Sequence, residues 1–103
     1  MSAGQFDEVI HAPTRLAIVS LLAASEWADF TFIRETVALS DSALSKQLTT
    51  LEDIGYIEIR KSFIGKRPRT SAKLTPAGLA AFHQHVVALQ DIVARSGVSI
   101  LPH

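Results

Sequence analysis

The sequence predicts a mainly α domain carrying one small β-hairpin, an α+β fold, and three observations carry that reading. Apolar residues recur at helical spacing in five separate stretches. Between Tyr56 and Leu74 the period shortens to two, on either side of a Gly-Lys-Arg-Pro turn signal. Serine, threonine, proline and glycine stand where such helices start and stop.

Each element follows in chain order. Phe6, Val9 and Ile10 are spaced for a short helix over residues 5–11. Pro13 suits a first helical turn, where its missing N–H is not needed. Leu16, Val19, Leu22 and Ala23, with Ile18 and Leu21 close by, continue that helix to about Ala24. Residues 25–30 read as a loop or a short extended piece. Thr31 can cap a helix running to about Ala38, with Phe32, Ile33 and Val37 available to a core.

Ser40 is the N-cap of the next helix, its hydroxyl positioned to take an unpaired N–H. That helix sets Leu44, Leu48, Leu51 and Ile54 on one stripe, and Gly55 is its left-handed stop. Its opposite face carries Asp41, Ser42, Ser45, Lys46 and Thr49, which are small, polar and mostly uncharged. Ile57 and Ile59 alternate with polar neighbours, as do Thr70, Ala72 and Leu74 on the far side of the turn. Thr75-Pro76 opens the last helix, 76–95, and Ser96-Gly97 ends it. There Leu79, Phe82, Val86, Leu89 and Val93 step by three and four, an a/d seam of about two heptads.

The chain of 103 residues, 48% apolar and 19% charged, reads as a single domain, 1–103, with a modest core. No apolar run approaches the roughly 20 residues of a membrane span. The first ten residues lack the basic start of a secretory signal. Cysteine is absent, which removes disulfides, thiolate nucleophiles and sulfur-dependent metal sites. A cytoplasmic protein without a membrane partner is the expectation.

Ten basic and ten acidic residues cancel overall, yet their distribution is uneven. Residues 1–59 hold nine acids against three bases, whereas Arg60, Lys61, Lys66, Arg67, Arg69 and Lys73 cluster without an acid among them. Such a segment is a local anion-binding signal. Edge protection of a hairpin also uses charge, but six cations without one acid exceed that need. A solvated helix face would account for Ser42, Ser45 and Thr49 by themselves. Set beside a basic hairpin, they match what a helix entering a DNA major groove requires.

The strings APTRLAIVSLL, LSDSALSKQLTTLEDIGYIEI, GKRPRT and LTPAG together resemble the short bacterial winged helix-turn-helix transcriptional regulators related to the MarR and ArsR families, over roughly residues 10–90. The resemblance implies a helix-turn-helix over residues 31–54, a wing over 56–75 and a C-terminal dimerisation helix over 76–95. It implies a homodimer on an inverted repeat of double-stranded DNA; repression is the expected outcome, because a compact DNA-binding dimer can block polymerase without an activation surface. Ser40, Ser42, Ser45, Lys46 and Thr49, with Gln47 at the edge, are the recognition-helix residues. The six wing cations lie along the backbone or in the minor groove. Phe6, Val9 and Ile10, in an N-terminal dimerisation segment 5–11, and the seam Leu79, Phe82, Val86, Leu89 and Val93 are the dimerisation residues.

The chain departs from that pattern in two ways. MarR-type proteins are usually longer around their ligand pocket, and metal-sensing ArsR-type proteins often use cysteines. No cofactor or metal is expected: His83 and His85 face about 200° apart on a helix, so they cannot share one ion within a chain, and they are read as exposed histidines, with a site across a dimer using either one and Asp91 as the alternative. A small organic effector near Trp27 and Phe30 stays open, with Trp27 itself read as a partly buried anchor. A winged-helix module for protein–protein contacts is the competing function. No nucleophile elbow, phosphate loop or HExxH string points to an enzyme, and no aromatic platform points to RNA.

Overall fold

The computed structural model describes residues 7–97. Its elements run α1 (Glu8–His11), α2 (Pro13–Ala23), β1 (Ala28–Asp29), α3 (Phe30–Val37), α4 (Asp41–Asp53), β2 (Ile57–Ile64), β3 (Arg67–Leu74) and α5 (Pro76–Arg95). Phe6 lies outside the described residues.

Local chemistry explains most boundaries. The Ser40 hydroxyl accepts from Ala43 N–H at 3.1 Å and opens α4. Thr75 does the same for α5 through Gly78 N–H at 3.0 Å, with Pro76 in the first turn. Gly55, at φ +84°, and Gly97, at φ +79°, follow α4 and α5 in the left-handed region. Asp7, not anticipated as a cap, accepts from Val9 and Ile10 N–H and starts the short α1. Ala38 closes α3 at φ 57°, an unusual conformation for a residue with a Cβ. Across that turn Arg34 and Asp41 pair at 3.0 Å, tying the end of α3 to the start of α4.

The sheet has three antiparallel strands in the order β1-β3-β2, where the sequence predicts two. The added strand is Ala28–Asp29, in the stretch read as a loop or extended piece, and it pairs only with Ala72 and Ser71. The β2–β3 register runs from Ile57 opposite Leu74 to Ile64 opposite Arg67. The turn is therefore the two residues Gly65 and Lys66, with Gly65 at φ +64°, and Pro68 stands within β3 beyond the reach of β1.

The core gathers Ile18, Val19 and Leu22 of α2, Ile33 of α3, Leu44, Leu48 and Leu51 of α4, and Ile57, Ala72 and Leu74 of the sheet. Three corrections to the predicted core follow from facing. Ile54, last on the α4 stripe, is 43% exposed, and Phe32 is 51% exposed. His85, read as exposed, is fully buried. It sits on the face of α5, with Gly78 and Ala88, that packs on its own domain.

Gly78 marks where α5 comes closest to that domain. A Cβ built on it would lie 2.1 Å from the Tyr56 carbonyl oxygen, which accepts from Thr75 N–H at 3.0 Å. The Thr75 hydroxyl also donates to the Gly55 carbonyl at 2.6 Å. The Leu-Thr-Pro-Ala-Gly junction is thus a joint locking the wing's base to the start of α5.

Candidate nucleic-acid interface

Helix α4 buries Leu44, Leu48 and Leu51 and leaves Ser42, Ser45, Lys46 and Thr49 exposed. The apolar stripe thereby fixes which way the hydroxyl face points. Thr49 donates to the Ser45 carbonyl at 2.9 Å, and its hydroxyl oxygen keeps acceptor capacity toward solvent. Ser40 is engaged as the cap and lies 3.4 Å, Oγ to Oγ, from Ser42. Gln47 behaves differently. It is half-buried and takes a 3.0 Å hydrogen bond from Arg15 Nη1, while Arg15 Nε holds the Val9 carbonyl at 2.6 Å. Its carbonyl oxygen is turned toward the α1–α2 side of the helix.

The wing sorts its cations by strand parity. Cross-strand register puts Ile57, Ile59, Lys61 and Phe63 on one face with Leu74, Ala72, Thr70 and Pro68, and Glu58, Arg60, Ser62 and Ile64 on the other with Lys73, Ser71, Arg69 and Arg67. Lys61 is therefore the only wing-strand cation on the face that leads to α4. With Thr70 it lines an open groove of about 400 Å³ that also includes Asp41, Ser45, Leu48 and Thr49.

On the opposite face Arg60, Lys73 and Arg69 are engaged within the chain, whereas Arg67 is not paired with an acid among the described residues. The Arg60 guanidinium lies 4.2 Å from the centroid of the Trp27 ring, and the Lys73 ammonium 5.5 Å from it. Trp27 is half-buried, as read, and its ring carries a pair of cation–π contacts. Arg69 Nε pairs with Asp29 Oδ1 at 2.5 Å, and Ser71 donates to the same oxygen at 3.3 Å. The Arg69 hydrogen bond, against slight burial, holds the Asp29 carboxyl below its ordinary range. It also explains why Asp29, at the N-cap of α3, caps nothing with its side chain. Lys61, Lys66 and Arg67 have no acidic partner among the described residues.

The residues expected to join two chains divide as well. Ile10 is fully buried in the protomer's own core and offers no surface to a second chain. Val9 is half-buried, and Phe82 packs against the core. Val86, Leu89 and Val93 are half-buried, while Leu79 is 38% exposed. The most exposed apolar residue of α5 is Ile92, at 52%, which the seam omitted.

A second cluster escaped the sequence reading. Asp7 accepts from the Tyr56 hydroxyl at 2.6 Å, its backbone N–H donates to His85 Nδ1 at 2.9 Å, and His85 Nε2 lies 3.4 Å from His11 Nδ1. Burial works to raise the Asp7 carboxyl, but the Tyr56 hydroxyl and two backbone N–H groups outweigh it and lower its pKa. The Tyr56 hydroxyl is pushed up to about 12, chiefly by that hydrogen bond. Burial, then the neighbouring His11, lowers His85 against the pull of Asp7. Asp7 ahead of the short helix was a legible cap signal; nothing local announced the burial of His85. Among the described residues no group of three or more acidic or histidine side chains could hold a metal ion. No helix among them is long and apolar enough to cross a membrane.

Comparison with known proteins agrees with this fold. An uncharacterised protein of Methanocaldococcus jannaschii is 32% identical over 85 residues, covering 82% of this chain and 92% of its own. The structure of a transcriptional regulator homologue from Pyrococcus horikoshii superposes with a TM-score of 0.83 at 24% identity, over 89% of this chain and 91% of that one. A zinc-responsive MarR family member, ZitR of Lactococcus lactis, superposes with a TM-score of 0.64 at 19% identity, covering 94% of this chain but 67% of its own. A family model described as a winged helix DNA-binding domain matches residues 14–93, and the chain belongs to that family.

Proposed function

We propose that this protein is a sequence-specific regulator of transcription that binds an inverted repeat in double-stranded DNA as a homodimer and represses by occupying it. Helix α4 enters the major groove and reads base edges through Ser42, Ser45, Lys46 and Thr49. The wing lies on the backbone or in the minor groove, with Lys61, Lys66 and Arg67 as its phosphate ligands. One observation supports this above the others: the hydroxyl face of α4 and the inner face of the wing border a single groove, with Lys61 and Thr70 opposite Ser45 and Thr49. Arg60, Arg69 and Lys73 serve the wing's stiffness first, through Trp27 and Asp29. A wing used for protein contacts would not need three cations, Lys61, Lys66 and Arg67, without an acidic partner among the described residues. A duplex does, because phosphate contacts release condensed counterions. The reading places the protein in the cytoplasm.

The test begins with duplexes selected from a random pool by the wild-type protein. Arg67→Ala is expected to weaken binding to all sequences alike and to reduce the slope of log K against log salt by about one. Ser45→Ala is expected to change which base is preferred, by about 1–3 kcal/mol at one position of each half-site. Reversed outcomes would exchange the two surfaces, and a protein that selects no duplex would end the proposal.

A further inference from the structure

The wing tip carries apolar surface that the fold does not use. Phe63 is 72% exposed and Ile64 58% exposed, although both sit in a strand whose base supplies the core. Only the inner rungs of the hairpin are covered: β1 reaches no farther along β3 than Ser71. The outer rungs, Lys61–Ile64 against Arg67–Thr70, project past that cover and end in the two-residue turn. Register assigns Phe63 and Pro68 to one rung, on the face that carries Lys61 and Thr70 toward α4.

Resting on the regulator reading, we infer that Phe63, backed by Pro68, is an apolar wedge that enters the minor groove beside each half-site and partly unstacks one base step. Charge complementarity selects nucleic acid as the occupant. Lys61 shares the face of Phe63, while Lys66 stands in the adjoining turn and Arg67 on the outermost rung, its face opposite; none of the three has an acidic partner among the described residues, and no acid occurs in the sequence between Glu58 and Asp91. An exposed ring at the end of a basic hairpin suits a surface whose rim is phosphate and whose interior is stacked bases. Phe and Pro are among the side chains that act as such wedges, kinking the duplex by about 20–90°. A B-form minor groove about 6 Å wide is too narrow for a whole β-ribbon but admits a single ring at its tip. The wedge also confers specificity without a hydrogen bond, because pyrimidine–purine steps unstack most readily. A TA or CA/TG step is thus expected at a fixed offset outside each recognition-helix contact.

The experiment uses the selected duplexes with 2-aminopurine substituted at successive positions, together with gel mobility of circularly permuted fragments. Wild-type protein is expected to raise the fluorescence severalfold at one step per half-site and to bend the DNA. Phe63→Ser, a change at an exposed site, is expected to keep the footprint and lose both signals, and Phe63→Leu to retain them. Equal bending by Phe63→Ser overturns the wedge, as does a wild-type footprint on straight, fully stacked DNA. If Phe63→Ser alters only sedimentation, the face belongs to a second copy of the chain and the wedge is wrong. A wild-type protein that footprints no duplex removes the regulator reading itself, a result separable from the others.

Discussion

Gly78 is a residue whose role depends on one contact. Helix propensity alone would favour alanine there by about 1 kcal/mol, since glycine loses more backbone freedom on folding. The Tyr56 carbonyl, 2.1 Å from an added Cβ, opposes that gain, and it belongs to the backbone rather than to a side chain that can swing away. Overpacking of this kind costs about 1–3 kcal/mol. Gly78→Ala is therefore expected to lower the urea midpoint with an unchanged m-value; a higher midpoint would mean that α5 moves off the wing's base without penalty. The sequence made the neighbours of Gly78 legible, because Thr75 and Pro76 are local start signals. The need for glycine was not, since the carbonyl it meets comes from the far side of the wing. Gln47 teaches the same lesson: its spacing places it at the edge of the recognition face, but Arg15 decides where its amide points.

At the scale of elements, periodicity exposed every helix and both long strands, and capping placed the starts of α4 and α5 but put that of α3 at Thr31, where the helix already runs from Phe30 after Asp29; contacts between distant segments stayed hidden. β1 is two residues long and acquires its identity only from Ala72 and Ser71, more than 40 residues away. The N-terminal segment is the other such case. Asp7 ties it to Tyr56, just after α4, and to His85 on α5, while Arg15 ties its Val9 carbonyl to Gln47. This junction makes stability fall with acidity. His85 accepts the Asp7 N–H at Nδ1, so its single ring proton belongs on Nε2, toward His11. A second proton on Nδ1 would face that N–H. Among the described residues Asp7 and His11 meet His85 at this junction, and Tyr56 meets Asp7. With its folded pKa lowered, the unfolded chain binds the proton more readily; stability is complete above about pH 6.5 and declines as pH drops toward the folded value. Asp7, also lowered, adds a second loss below its ordinary value of 3.8. Urea midpoints are expected to fall between pH 7.5 and pH 5, and less so in His85→Gln, whose amide oxygen can still accept from Asp7. An identical decline in the variant would assign the effect to other groups.

For the molecule as a whole, shape and surface bear on the proposed dimer. Its radius of gyration is 15.3 Å and its principal extents are 54 × 27 × 22 Å, against about 13 Å for a compact domain of 100 residues. The excess length fits a protomer with a projecting wing and a 20-residue helix packed along only one side. That helix faces its own domain through Gly78, His85 and Ala88, leaving Leu79 and Ile92 exposed with Val86, Leu89 and Val93 half-covered between them. The heptad stripe in the sequence predicts this helix as the joint between chains; it does not include Ile92, the most exposed apolar residue of the helix. Ile92→Asp is consequently a cleaner probe than a change at half-buried Leu89. Its side chain is already about half in water, so circular dichroism and the urea midpoint should change little. Sedimentation should shift from dimer to monomer, and affinity for a full inverted repeat should fall toward that for a half-site, since two recognition helices held about 34 Å apart would no longer bind as one. If the wild type sediments as a monomer at footprinting concentrations while protecting both half-sites, α5 is not the joint. The two-fold arrangement would then have to come from the DNA.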